Sequence, residues 1–196
     1  MRILAMTAIL PAGATLYFIL FWRWFDHWRK HRVATYSMML GTFVVLGVAV
    51  HRFRSPVFAC QLEVPWWLAA IGWVVAALAC LLGFVADRQI GIRVRSFTPF
   101  FETQGRIVLE TRGAYAIVRH PIYAAGIAYQ LGVLLITGYL AVGLAWVVLT
   151  LGALWFTRQE ERRLMELLED PGAYERYRSR VPGLFPWFKR GGSNQL

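Results

Sequence analysis

The stretch RHPIYAAGIAYQLGVLLITGYLAVGLAWVVLTLGALWFTRQEERR, residues 119–163, contains two apolar runs that follow each other almost without interruption. The first run begins at Pro121 and the second ends at Thr157, with only Gly138 and Tyr139 between them. Each run is close to the roughly 17–25 apolar residues that a helix needs to cross a bilayer. The stretch therefore predicts two antiparallel membrane helices joined by a very short turn.

Charged side chains flank this hairpin at both of its free ends. Arg119 and His120 precede the first run, and the paired acids Glu160 and Glu161 follow the second. A tight hairpin returns the chain to the membrane face that it left, so we expect the two clusters at adjacent helix ends. Pro121 suits the first turn of a helix, where its missing N–H is not needed. A helix N-terminus beside Arg and His favours a bound carboxylate or phosphate.

Composition places the whole chain in a membrane. Of its 196 residues, 58% are hydrophobic and only 16% are charged, whereas soluble domains carry about 25% charged residues. The net charge of +10 would indicate nucleic acid in a soluble protein. In a membrane protein it indicates loops beside anionic lipid, so we expect lipids and no nucleic acid as partners. Cys60 and Cys80 lack metal-type spacing, and no metal is expected.

Three further apolar runs precede the hairpin, at residues 3–21, 33–50 and 66–86. The predicted fold is an all-α integral membrane protein with about five transmembrane helices. Residues 1–196 are expected to form one membrane domain. Its predicted parts are three N-terminal transmembrane helices in 1–86 and a second part in 87–196, which contains the hairpin 121–157 and a C-terminal cap 158–190.

The charges of the loops predict the orientation. Lys and Arg are in excess after the first and third runs and in the C-terminal segment, so the positive-inside rule puts those segments in the cytoplasm. With five spans, the N-terminus lies outside. The short loops and small size favour a bacterial inner membrane. The polar connection 87–119 is expected to be partly irregular and to lie at the membrane surface.

The two flanking clusters suit a zwitterionic ligand. The basic pair would bind a carboxylate and the paired acids an ammonium group, while Tyr115 and Tyr123 offer aromatic faces to a ring or a cation. S-adenosylmethionine combines these groups. The residues alone leave a simpler alternative open, in which Arg119 and His120 reach lipid phosphate and the acids pair with Arg162 and Arg163 on a solvated helix.

Two motifs resemble the isoprenylcysteine carboxyl methyltransferase family. The first is Gly-x-Tyr-x-x-x-Arg-His-Pro-x-Tyr at residues 113–123, followed by Gly126. The second lies in the C-terminal segment and consists of Glu160-Glu161-x-x-Leu164, Tyr174-x-x-Tyr177, Val181-Pro182 and Leu184-Phe185-Pro186. The order and spacing match over residues 109–186.

The resemblance implies a membrane enzyme that uses S-adenosylmethionine to methylate a lipophilic acceptor, which enters from the bilayer. Residues 87–196 would be its catalytic part, with a cofactor pocket on the cytosolic side that the C-terminal cap covers. It implies direct transfer from an already activated donor, without a metal. The cofactor-binding residues that it implies are Val108, Leu109, Glu110, Tyr115, Arg119, His120, Pro121, Ile122, Tyr123 and Glu160.

The acceptor is less clearly indicated. In the eukaryotic members an Arg shortly before the paired acids contacts the acceptor carboxylate, but Phe156 occupies that place here and Arg158 is the nearest Arg. We name Arg158 and Glu161 as the catalytic residues, with carboxyl methylation of a prenylcysteine-like substrate as the first expectation. The alternative is N-methylation of a phospholipid or amine, with Glu161 or water as the base. An NADPH-dependent sterol-type reductase and a non-catalytic membrane protein are the other classes, and cofactor binding distinguishes them.

Overall fold

The computed structural model describes residues 1–28, 30–95, 109–168 and 170–186. Within these ranges the chain forms helices and no strand, which confirms the all-α prediction. The helices are α1 Arg2–Ile9, α2 Gly13–Arg23, α3 Phe25–Trp28, α4 Arg32–Arg52, α5 Arg54–Val57, α6 Trp66–Arg95, α7 Ala114–Ile117, α8 Pro121–Thr137, α9 Leu140–Leu167 and α10 Pro171–Arg180.

Four helical segments are long and apolar enough to cross a bilayer, and α8 is a shorter apolar helix of 17 residues. The chain is therefore a multi-pass membrane protein. The first of the four segments, Arg2–Arg23, combines α1 and α2 with a 3-10 turn at Leu10–Ala12 between them. Pro11 explains this turn, because it has no N–H to continue the α-helical hydrogen bonds.

Two helices extend further than their apolar runs. α6 continues past Ala86 to Arg95, and α9 continues past Thr157 to Leu167 as a single helix. An apolar run ends where the hydrocarbon of the bilayer ends. The helix continues beyond this point because Arg, Gln, Glu and Leu favour helix in water as well. The polar connection predicted as partly irregular therefore begins with two and a half turns of helix. The extension of α9 carries the paired acids.

α8 is the central helix of the bundle, since α1, α6 and α9 all pack against it. Its contact with α6 brings the two backbones together at Gly72 and Gly132. A Cβ at Gly132 would lie 2.8 Å from the Gly72 carbonyl oxygen and 2.8 Å from the Ala76 amide nitrogen. Small residues permit such an approach between membrane helices. The two helices also meet near the start of α8, where a Cβ at Gly83 would lie 3.4 Å from Ala125 Cβ.

A polar contact inside the bundle ties α8 to α1. The Gln130 side chain is fully buried, and its Nε2 donates to the carbonyl oxygen of Ala8 at 2.6 Å. Ala8 precedes the turn at Pro11, where the helical hydrogen-bonding pattern is interrupted. Since a free carbonyl is costly in a bilayer, Gln130 stabilises this interruption.

The hairpin turn is held by the loop before α6. Gly138 has a φ of 67° and its carbonyl oxygen accepts from the Leu62 amide at 2.9 Å, while the Leu140 amide donates to Cys60 at 3.1 Å. A surface cavity of about 340 Å³ lies beside Gln61 and Thr137. It is at the far end of α8 from His120, so it is separate from the site described next.

Candidate active site

A short connection positions the first motif at the end of α6. Gly113 has a φ of 55°, which favours glycine, and a Cβ there would overlap the Gln89 amide of α6. Gln89 Oε1 accepts the Ala114 amide at 2.9 Å, at the start of the one-turn helix α7. The chain then extends through Val118 and reaches His120, the residue before α8. We call the end of the bundle that carries Arg119 and His120 the motif end.

His120 is buried between the paired acids. Its Nε2 lies 3.0 Å from Glu161 Oε1, and its Nδ1 lies 3.5 Å from Glu160 Oε2. The hairpin thus brings the two charged clusters to one place, as the sequence predicts. The simpler alternative, a separate solvated acid pair and lipid-facing Arg119 and His120, is not what the structure shows.

Arg119 has protein partners on every side of its guanidinium. Nε and Nη2 lie 2.9 and 2.8 Å from Glu161 Oε1. Nη1 donates to the carbonyl oxygens of Arg178, at 3.2 Å, and Val181. Arg119 therefore joins α9 to the C-terminal segment through one buried ion pair.

The C-terminal segment covers the motif through its backbone. The amides of Arg119 and His120 donate to the carbonyl oxygens of Pro182 and Gly183 at 2.8 and 3.1 Å. Leu184 follows and is buried among side chains of α8 and α9. The predicted C-terminal cap is thus a segment that pairs with the motif directly.

Two tyrosines of α10 also belong to this cover. Tyr177 donates its hydroxyl to the carbonyl oxygen of Tyr115 at 2.6 Å, and Tyr174 is almost fully buried. Burial raises the pKa of Tyr177 to about 12, and burial together with the charge of Glu160 raises the pKa of Tyr115. All three phenols are therefore neutral donors or aromatic surfaces at neutral pH.

Glu160 differs from its neighbour. Its Oε2 is shielded from solvent and makes no hydrogen bond to the described residues, and its 3.5 Å approach to His120 is an ion pair only. By contrast, Glu161 Oε1 accepts from both Arg119 and His120. The site therefore holds one carboxylate oxygen with unused acceptor capacity.

Aromatic rings line the membrane side of the site. Phe156 is fully buried and stacks on Phe18 of α2, with ring centroids 4.0 Å apart. The Tyr123 ring lies 6.2 Å from Phe156 and 6.1 Å from His120. Phe156 thus presents an apolar surface at the place where the resemblance would put a cation.

The other predicted site residues range from buried to exposed. Pro121 is buried at the first turn of α8, whereas Ile122 is 40% exposed. Leu109 and Glu110 are half-buried, and Glu110 Oε1 accepts from the next two backbone amides. Arg158 is exposed on α9. Val108 lies outside the described residues.

Sequence reasoning missed three residues that build the site. Gln89 anchors the connection before α7, Gly183 receives the His120 amide, and Arg178 Nε lies 3.7 Å from Glu161 Oε2. The sequence offered a signal for Arg178, because it lies near the end of the predicted helix that carries the motif tyrosines. Gln89 had none, since its partner is distant in the chain.

The charge of His120 gives the folded chain a pH dependence. Burial lowers the pKa of His120, but its polar contacts with Glu160 and Glu161 and the charges of the two acids outweigh this effect and raise the pKa above 6.5. The charged His120 therefore stabilises the fold fully below the pKa that His120 has in the unfolded chain. This stabilisation is lost as the pH rises through the higher pKa that His120 has in the folded chain. We expect the stability difference between wild type and His120→Gln to shrink above pH 6.5, by at most about 1.4 kcal/mol per pH unit. Thermal unfolding of both proteins in detergent from pH 5.5 to 9 measures this stability difference. A difference that stays constant over this range would contradict the raised pKa of His120.

The described ranges contain no group of three or more His, Cys, Asp or Glu side chains placed to hold a metal ion.

A comparison with known protein families matches residues 67–168 to phospholipid methyltransferase. The match covers more than half of the chain, from the start of α6 to just past the end of α9. The chain belongs to the phospholipid methyltransferase family. No curated protein and no solved structure matched it.

Membership of the phospholipid methyltransferase family makes this chain a membrane methyltransferase of a class that acts on lipid-type substrates. The matched region contains Arg119, His120 and both acids, and it ends before the covering segment at 181–186. The family is broader than the isoprenylcysteine carboxyl methyltransferases, so that narrower assignment stays a prediction.

Proposed function

We propose that the chain transfers a methyl group from S-adenosylmethionine to the amino group of a membrane lipid at the motif end. The observation that supports this most is the unused Glu160 Oε2, buried beside His120. A buried carboxylate oxygen without a full set of partners is costly. An ammonium group of a ligand would satisfy it, so the residues present fit the cofactor's amino group.

The remaining groups of the cofactor also find suitable residues. Ile122 and Tyr123 lie in the first turn of α8, where N–H groups have no partner within the helix and favour a carboxylate. Tyr115 and Tyr123 offer aromatic faces to a cation. When bound, S-adenosylmethionine supplies a methyl group already activated by its sulfonium charge.

The chain contributes position and a dry environment. Glu161 holds Arg119 and His120 in place, so we propose it as a positioning residue rather than as the base. The ammonium form of the acceptor must lose a proton before its nitrogen can attack the methyl group, and we propose that this proton passes to water before the acceptor enters the site. The segment at 182–183 covers the motif backbone and excludes water from it. Alignment of the two reactants accounts for much of the rate gain in a direct transfer that needs no covalent intermediate with the enzyme.

Charge favours an amine over a carboxylate as acceptor. Arg119 has protein partners at all three guanidinium nitrogens, Phe156 is apolar, and Arg158 is exposed. A carboxylate acceptor would therefore lack a cation among these residues, whereas an amine meets acidic and aromatic groups. Carboxyl methylation of a prenylcysteine remains the second candidate, favoured by the motif at 113–123, and it would require Arg158 to turn inward.

The experiment is a calorimetric titration of the detergent-purified protein with S-adenosylmethionine, with NADPH as the parallel titrant. The protein is then placed in nanodiscs with labelled S-adenosylmethionine and either phosphatidylethanolamine or a prenylcysteine. We expect binding of S-adenosylmethionine alone and label in the phospholipid. Label in the prenylcysteine only would establish the second candidate, and NADPH binding without S-adenosylmethionine binding would overturn both.

A further inference from the structure

Two buried N–H donors beside the site have no partner within the described part of the chain. They are Nε of Arg163, on the extension of α9, and Nε1 of Trp28, at the end of α3. A buried donor without an acceptor destabilises the fold, and more so when the donor is charged. Neither residue belongs to the motifs or to the site described above.

The guanidinium of Arg163 is held in place with one edge unused. Nη1 pairs with Glu166 Oε2 at 2.7 Å, and Glu166 is well exposed. Cζ lies 5.9 Å from the centroid of the Phe25 ring of α3. The exposed pair fixes the outer edge of the guanidinium, while the Nε edge is shielded from solvent.

Trp28 lies on the same side of the bundle. Phe25 and Trp28 both pack against the buried aromatic cluster of Tyr17, Phe18, Phe21 and Phe156. The two unsatisfied donors therefore flank one patch of aromatic surface, at the level where α2 and the apolar part of α9 end. Trp is common at this depth because its ring is apolar and its N–H is a donor.

The patch is one helical turn from the site. Arg163 is three residues after Glu160 on α9, and side chains at this spacing lie about 5–6 Å apart at Cβ. A group bound to Arg163 can therefore be linked by a short chain to one that lies at the motif end, beside the cofactor group that Glu160 would hold. A phosphate joined to an amine by two carbons has this form.

We propose that Arg163 and Trp28 bind the phosphate of a phospholipid headgroup and thereby place its amine toward the motif end. Arg recognises phosphate with charge-assisted hydrogen bonds, and the indole N–H can only donate, so both donors fit an anion. The aromatic cluster provides an apolar surface for the first carbons of the lipid. The role of the amine rests on the proposed function, whereas phosphate binding does not.

The test measures lipid binding without turnover. The detergent-purified protein is titrated, without S-adenosylmethionine, with dioleoyl-phosphatidylethanolamine, dioleoyl-phosphatidate and dioleoylglycerol, and binding is read by native mass spectrometry. We expect both phospholipids to bind roughly tenfold or more tightly than dioleoylglycerol, as for a charge-assisted hydrogen bond. Soluble glycerophosphoethanolamine should bind much more weakly, and equal binding would overturn the choice of a lipid headgroup.

Variants then locate the phosphate. Arg163→Gln should weaken phospholipid binding roughly tenfold and Trp28→Phe severalfold, with Arg163→Lys between wild type and Arg163→Gln. The matched control is Arg162→Gln, since Arg162 is exposed and its Nη1 donates to Gln159 Oε1 at 3.4 Å. All variants should keep wild-type affinity for S-adenosylmethionine and for dioleoylglycerol.

Equal losses in Arg163→Gln and Arg162→Gln would overturn the proposal, as would a loss for dioleoylglycerol as large as that for phosphatidate. The two proposals fail separately. Phosphate-dependent binding through Arg163 without methyl transfer would refute the proposed function alone, whereas methyl transfer unaffected by Arg163→Gln and Trp28→Phe would refute this site alone.

Discussion

Replacing Glu160 with Gln is expected to raise the dissociation constant for S-adenosylmethionine by roughly 10- to 100-fold, the range for losing a hydrogen bond to a charged group. The substitution keeps the shape of the side chain and removes the negative charge. Glu160→Gln also removes the 3.5 Å ion pair with His120, so we expect a lower thermal midpoint together with the weaker binding. Calorimetry on the detergent-purified variant measures the change.

Glu166→Gln is the matched control. It removes a carboxylate from the same helix, but Glu166 is exposed and pairs with Arg163. Cofactor affinity in this variant should equal that of wild type. If folded Glu160→Gln also binds S-adenosylmethionine with wild-type affinity, Glu160 does not hold the ammonium group and the assigned cofactor site is wrong.

Arg119→Ala should destabilise the folded protein by about 3–5 kcal/mol, as expected when one partner of a buried ion pair is removed. Glu161 would lose its closest cation, and the carbonyl oxygens of Arg178 and Val181 would lose their shared donor. The thermal midpoint in detergent should fall by roughly 10 °C, given about 2–4 °C per kcal/mol for a chain of this size. Limited proteolysis should cleave first near residues 181–186.

Arg176→Ala is the control for this second prediction. Arg176 also pairs with a carboxylate, that of Asp170 at 2.8 Å, but both side chains are more than 60% exposed. Exposed pairs contribute about 0–1 kcal/mol, so the midpoint should hardly move. Equal shifts for the two variants would mean that Arg119 is an ordinary surface residue.

The sequence was sufficient for the hairpin and for the meeting of its flanking clusters. The two apolar runs are each of membrane length and have only Gly138 and Tyr139 between them. The first helix must therefore cross the bilayer and the second must cross back, which returns the chain to the face where the first helix began. His120 and Glu161 are in contact for that reason.

The different roles of the two acids could not be predicted. Glu160 and Glu161 are adjacent, and both follow the last apolar run, so either could face the ligand. Successive helical residues point about 100° apart, and only the packing of α9 on the C-terminal segment decides that Glu161 meets Arg119. The same packing leaves Glu160 Oε2 without a hydrogen bond.

Contacts between residues that are distant in the chain could not be predicted from the sequence either. Gln89 lies past the apolar part of α6, and nothing in its neighbourhood indicates a partner at Ala114. Phe18 lies in an apolar run whose other members look equivalent, yet it is the residue that stacks on Phe156. Such pairs depend on helix rotation, which hydrophobic periodicity determines poorly when a helix is apolar on all sides.

The pairing of Arg119 and His120 with Pro182 and Gly183 has a consequence for biosynthesis. These carbonyl groups leave the ribosome after every membrane helix has been translated, so the motif backbone stays uncovered while α1 to α9 insert. A nascent chain with all its helices in place therefore has an incomplete site. Chains that are truncated before residue 180 and released from the ribosome should be inserted but inactive, which confines catalysis to molecules whose translation has passed this point.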